Sequence, residues 1–125
     1  MATGVDNLLA FKKSFDLAMR IFEVSKGFPK DEKYSLTDQI RRSSRAVSAN
    51  LAEAYCKRRY EAHFISKLSD SDMENTETQV WLNFALKCNY LSDNYYNEML
   101  EESKSIGKLL DYMMHNPSKF SRQDK

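Results

Sequence analysis

The sequence predicts an all-α fold, an antiparallel up-down four-helix bundle, on three observations. Glycine and proline, the punctuation of turns and strands, number only three and two in 125 residues. Four long stretches repeat apolar residues at steps of three and four, the period of one helix face. Only a few residues separate these stretches, so helices adjacent in sequence run antiparallel. The length is that of a single domain, 1–125.

The first helix is expected over about Leu8 to Lys26, with Leu8, Phe11, Phe15, Ala18, Ile21 and Phe22 on one face. Gly27-Phe28-Pro29 ends it, because glycine suits a C-terminal cap and proline disfavours helix in the residue before it. The second starts within Lys30 to Tyr34, near residue 31, and runs to Cys56. Asp31 and Glu32 suit its positive N-terminal end and Lys57-Arg58-Arg59 its negative C-terminal end. Its apolar stripe is Leu36, Ile40, Val47, Leu51 and Ala54. The third spans about Tyr60 to Cys88, anchored by Phe64, Leu68, Val80, Trp81, Phe84, Ala85 and Leu86, with Asn89 as its cap. It would be roughly 40 Å long at the helical rise. Ser92 or Asp93 caps the fourth helix, over 93–115, and the polar tail 118–125 is expected to fray.

A bundle this long and thin exposes much flank. Tyr60, Tyr95, Tyr96, Phe120 and several of the six methionines exceed what one core absorbs, so the chain is expected to assemble with copies of itself.

The formal net charge of +1 hides an asymmetry. Residues 1–60 carry twelve Lys/Arg against seven Asp/Glu, and residues 61–125 seven against eleven. One half is therefore suited to dock on the other, or a basic face to stand apart from an acidic one. Cys56 and Cys88 are too few for a disulfide scaffold and lack metal-ligand spacing. No apolar run reaches the roughly 20 residues of a membrane span, and no signal peptide opens the chain, so a reduced cytoplasm is the expected setting.

At about 100° per residue, Gln39, Arg42, Asn50 and Glu53 form one lengthwise polar row beside the apolar seam of the second helix. Arg41, Arg45 and Arg59 fall roughly 200–240° from Gln39, on the far side. On the third helix Asp70, Glu74 and Glu77 share a face. Three carboxylates together need cations, and Arg42, whose planar fork matches a carboxylate, is the natural partner. The set Gln39, Arg42, Asn50, Glu53, Asp70, Glu74 and Glu77 is thus expected to be an inter-helix polar network. A metal site on the same acids would want Glu-x-x-His, and neither His63 nor His115 follows a Glu by three.

Catalytic constellations are no stronger. Cys56 or Cys88 with His63 lacks a third orienting group, and buried or half-buried thiols account for both cysteines. Ser43, Ser44, Ser69 and Ser71 read as small residues that let helices approach, and no glycine-rich phosphate loop exists. Neither enzyme activity nor a metal or cofactor is expected.

Between Arg41 and Arg59 lie six cations and one acid. A solvated face or ion pairs between subunits would explain them. So would contact with a phosphate backbone through Arg41, Arg45, Lys57, Arg58 and Arg59, which oligomer symmetry would repeat into a ring or channel.

Phe28-Pro29 with Glu32, Tyr34 and Leu36, Gln39-Ile40-Arg41-Arg42-Ser43-Ser44, Asn50-Leu51-Ala52-Glu53-Ala54, Phe64 with Lys67-Leu68, Glu74, Glu77-Thr78-Gln79 and Tyr90-Leu91 together resemble a known family. It is the four-helix-bundle family encoded in intervening sequences of bacterial 23S ribosomal RNA genes. Its relatives include the accessory variability determinant proteins of diversity-generating retroelements. The resemblance runs from about Phe11 to Met114; many members place glycine where Ala54 stands. It implies a homopentameric barrel with a basic surface and, for the retroelement relatives, binding to a reverse transcriptase and to nucleic acid. Two functions follow as expectations: a non-enzymatic, homo-oligomeric protein that binds RNA or DNA, or an adaptor that docks a protein partner of reverse-transcriptase type.

Overall fold

The computed structural model describes residues 4–121. Four helices form the bundle: α1 (Leu9–Ser25), α2 (Leu36–Cys56), α3 (Glu61–Lys87) and α4 (Asp93–His115). Three short 3-10 turns flank them at Val5–Asn7, Lys30–Glu32 and Pro117–Lys119, and the described residues contain no strand. Each helix packs on two neighbours, in the order α1, α2, α3, α4 and back to α1, so α1 lies diagonally across from α3. Among the described residues no helix is long and apolar enough to cross a membrane.

The stripe expected on α2 is the buried one: Leu36, Ile40, Val47, Leu51 and Ala54 all face the core. The helix itself begins later than residue 31. Lys30–Glu32 forms a 3-10 turn, and Glu32 then folds back so that its Oε1 accepts from Ser35 Oγ at 2.6 Å and Leu36 N at 3.3 Å. Glu32 therefore caps α2 from outside it. On α4 Ser92 Oγ accepts from Tyr95 N, the cap expected there. Pro29 follows the end of α1, and Gly27 there does not use a left-handed backbone.

Asn89 ends α3 with φ of 64°, the left-handed conformation. Tyr90 N donates to Ala85 O and Asn89 N to Leu86 O, the paired bonds of a Schellman cap. That turn delivers Tyr90 and the buried Leu91 to the start of α2.

The core is not uniformly apolar. The inward stripe of α3 is Phe64, Leu68, Ser71, Asn75, Thr78, Leu82 and Ala85, spaced alternately by four and three. Its middle is polar and meets polar groups of α2 and α4, while a further polar pair joins α1 to α2. Asn75 Nδ2 donates to Ser103 O while Ser103 Oγ donates back to Asn75 Oδ1, both at 2.9 Å. Ser71 Oγ donates to Val47 O, Thr78 Oγ1 lies 2.9 Å from Ser43 Oγ, and Ser14 and Ser48 share a hydrogen bond. Pairing these groups keeps the layer from costing stability and fixes helix register. Gly107 of α4 faces this layer, where a Cβ on it would stand at contact distance, 3.4 Å, from Asn75 Nδ2.

Two expectations are corrected. Val80 and Phe84 of α3 are exposed, as is Phe15 of α1, where Ser14 and Leu17 fill the core instead. The tail is not frayed as far as Ser121: Phe120 packs on Phe64 and Tyr112, and Ser121 N donates to Pro117 O. Residues 122–125 of the expected fray lie outside the described residues.

Candidate nucleic-acid interface

Helices α2 and α3 are held by two ion clusters, one above the other. Arg42 pairs with Glu77 through Nη2 and approaches Glu74 Oε1 to 3.6 Å through Nη1. Glu77 Oε2 also accepts from Trp81 Nε1, and Arg42 Nε donates to Gln39 Oε1. Nearer the α2–α3 connection, Lys67 Nζ lies 3.1 Å from Glu53 and 3.5 Å from Asp70. Glu53, first in effect, raises the Lys67 pKa above the usual lysine value. Six of the seven residues expected in the inter-helix network thus belong to it, with Lys67 as the cation that sequence reasoning did not assign. Asn50 does not belong: its Nδ2 bonds Ala46 O in its own helix. No group of three or more His, Cys, Asp or Glu stands ready for a metal among the described residues.

The five basic candidates fall into two separate places. Lys57, Arg58 and Arg59 occupy the turn after α2, about 18 Å along the axis from Arg45 at the helical rise. Arg58 is half-buried, donates to Tyr55 O at 2.7 Å and lies over the Tyr55 ring at 3.9 Å, while Lys57 and Arg59 are exposed. Arg41 does not project outward as helical angles suggested. Its Nε donates to Ser25 Oγ at 2.7 Å and its guanidinium lies 4.7 Å from the Phe22 centroid, so it braces the C-terminal end of α1. Arg45, one turn on, is exposed and its guanidinium lies 5.6 Å from the centroid of the same ring.

Phe22 is thus a platform on which Lys26, Arg41 and Arg45 converge. Beside it an open groove of about 510 Å³ is lined by Lys33, Tyr34, Asp38, Arg41, Arg42 and Arg45. Lys33, Arg41 and Arg45 have no carboxylate partner among the described residues; Arg42 is already bound to α3. Asp38 is the one carboxylate that lines this groove, against the four cations Lys33, Arg41, Arg42 and Arg45. Lys33 and Tyr34 were missed as site residues, although Arg41 and Arg45 at a four-residue step pointed to this side of α2.

Just before α2, Tyr90 Oη donates to Glu32 Oε2 at 2.9 Å and the Tyr90 ring packs on Phe28 at 5.6 Å. The bonds from Ser35, Tyr90 and Leu36 lower the Glu32 pKa, and the same carboxylate pushes the Tyr90 phenol up to about 12. On the opposite flank, burial and then Asp111 raise the Asp72 carboxyl. Both cysteines are free and exposed, which corrects the expectation of buried or half-buried thiols.

Residues 6–112 match the model of a family described as 23S rRNA-intervening sequence protein. A solved structure of similar fold is a protein with unknown function from the S23 ribosomal protein family of Bacteroides thetaiotaomicron VPI-5482. It is 30% identical, superimposes with a TM-score of 0.79, and is matched over 89% of this chain and 98% of its own. No curated protein matches the chain.

Proposed function

Because the chain belongs to the 23S rRNA-intervening sequence protein family, we propose that it is a non-enzymatic, self-assembling protein of the reduced cytoplasm that contacts RNA or DNA through the basic outer side of α2. The observation that carries this reading is the groove in which Lys33, Arg41 and Arg45 stand without a carboxylate partner among the described residues. Cations in excess of the single Asp38 in this groove attract phosphates, which release their counterions on contact. Lys57 and Arg59, exposed in the turn after α2, form a second and separate basic site. No groove-reading motif accompanies them, so recognition is by charge and shape.

Self-assembly is supported by exposed apolar side chains on two opposed sides of the bundle. Phe15 and Met19 project from α1, and Met73 and Val80 from the diagonal α3, each at least 46% exposed. Two unlike patches on opposite sides fit head-to-tail contacts, which close into rings, and the pentameric barrel is one such ring. A ring would repeat the α2 cations around its circumference. Relatedness to the accessory variability determinant proteins belongs to the same proposal, with a reverse transcriptase as one candidate partner.

Electrophoretic mobility of a structured RNA at low salt tests the reading. The expected result is a shift that weakens with salt. Capture of one host protein that survives nuclease treatment, without any RNA shift, would replace this reading with that of an adaptor.

A further inference from the structure

Tyr34 is the most exposed of the large hydrophobic side chains described, at 83%, yet it is not idle surface. It forms the shared wall of two concavities. On one side is the basic groove of Lys33, Arg41 and Arg45. On the other is a groove of about 430 Å³ between the start of α2 and the end of α3, lined by Tyr34, Leu36, Gln39, Trp81 and Phe84. The Trp81 and Phe84 rings stand tilted with centroids 5.8 Å apart, and Phe84 is 54% exposed. Lys33 Nζ lies 5.3 Å from the Tyr34 centroid, at the junction of the two.

A cationic groove and an aromatic groove joined at one tyrosine match the two chemistries of an unpaired nucleotide. Phosphates seek cations, and bases offer faces for stacking once they leave a duplex. We propose that these paired grooves bind a single strand of nucleic acid, its phosphate toward Lys33 and Arg45 and its base against Tyr34, Trp81 and Phe84. The inference rests on the nucleic-acid reading above and narrows it to single strands.

The neighbouring charges favour that orientation. Glu32 lines the aromatic groove, and its two oxygens are engaged by Ser35, Leu36 N and Tyr90, so its negative charge stays in place and turns phosphates toward the basic side. Gln39 offers an amide to a base edge, one end of it accepting from Arg42. A paired base, its faces covered by neighbours in the stack, gains nothing from the aromatic groove.

Trp81 is the sole tryptophan, so its fluorescence reports the groove directly. The full chain is titrated at low salt with oligouridylate, oligothymidylate and a duplex of the same length. The expected result is quenching by the single strands and affinity for them roughly ten-fold above the duplex. Tyr34→Ala and Phe84→Ala should each weaken single-strand binding by about ten-fold and leave duplex binding unchanged. Binding of either sugar supports the site. Equal binding of duplex and single strand without quenching would overturn this inference and leave the charge-based reading standing. No binding of any probe would remove both. Dissociation of the assembly by Phe84→Ala in sedimentation would assign the aromatic groove to subunit packing and overturn the inference as well.

Discussion

The hydroxyl of Tyr90 donates to Glu32 Oε2 at 2.9 Å, joining residues 58 apart in sequence. One bond thereby ties the cap of α2 to the turn after α3, and it depends on protons in a calculable direction. The Tyr90 pKa is raised from 10.0 to about 12, so its contribution is fully present below pH 10 and lost as pH rises toward 12. The Glu32 pKa is lowered from 4.5, so its contribution is present above that value and lost as pH falls through the lower one. Melting temperature against pH should show Tyr90→Phe less stable than the native chain below pH 10, with the two curves converging as pH approaches 12. Glu32→Gln should converge with the native chain only in acid.

The polar middle of the core makes a second prediction. Asn75→Ala leaves Ser103 O and Oγ with lost partners inside the bundle and should cost about 3 kcal/mol in urea denaturation. Replacing both members of the Thr78 and Ser43 pair, as Val and Ala, removes the polar groups together and should cost less than about 1 kcal/mol.

Arg42 and Glu77 should couple weakly. Arg42 is half exposed, so a double-mutant cycle with Arg42→Ala and Glu77→Ala is expected to give about 0.5 kcal/mol, smaller in high salt. A coupling several times larger would mean that neighbouring subunits bury the pair.

Phe120 tests whether the end of the chain is part of the fold. Its ring contacts Phe64, which is fully buried, and Tyr112. Phe120→Ala should therefore destabilise by about 1–2 kcal/mol, where a frayed tail would give no change.

Helix number, order and the α2 stripe were legible because Leu36, Ile40, Val47, Leu51 and Ala54 keep to one face although Ser43 and Ser44 interrupt the apolar run. The inward stripe of α3 was not. Its regular four-three spacing passes through Ser71, Asn75 and Thr78, while Val80 and Phe84 lie outward, so hydrophobicity alone selected the wrong side in mid-helix. Small polar residues that satisfy one another across four helices resemble surface in a one-dimensional reading. The start of α2 was misplaced for a related reason: Glu32 caps the helix from four residues upstream, a role its position in sequence does not announce. The network of Arg42 with Glu74 and Glu77 was legible from charge and spacing, whereas Lys67 was hidden by being the minority charge among acids. Helical angles placed Arg41 outward because they locate the Cβ and not the end of a long side chain, which here reaches back to Ser25.

The central claim is that Lys33, just before α2, and the cations of α2 contact phosphates. It is tested most directly by the affinity of the assembled protein for a structured RNA across a salt series, in the native chain and in the Lys33→Ala/Arg45→Ala variant. The account predicts that log affinity falls linearly with log salt and that the variant's slope is shallower by about two, one per cation removed. An RNA that is not retained at low salt, or a slope unchanged by the two substitutions, would contradict it.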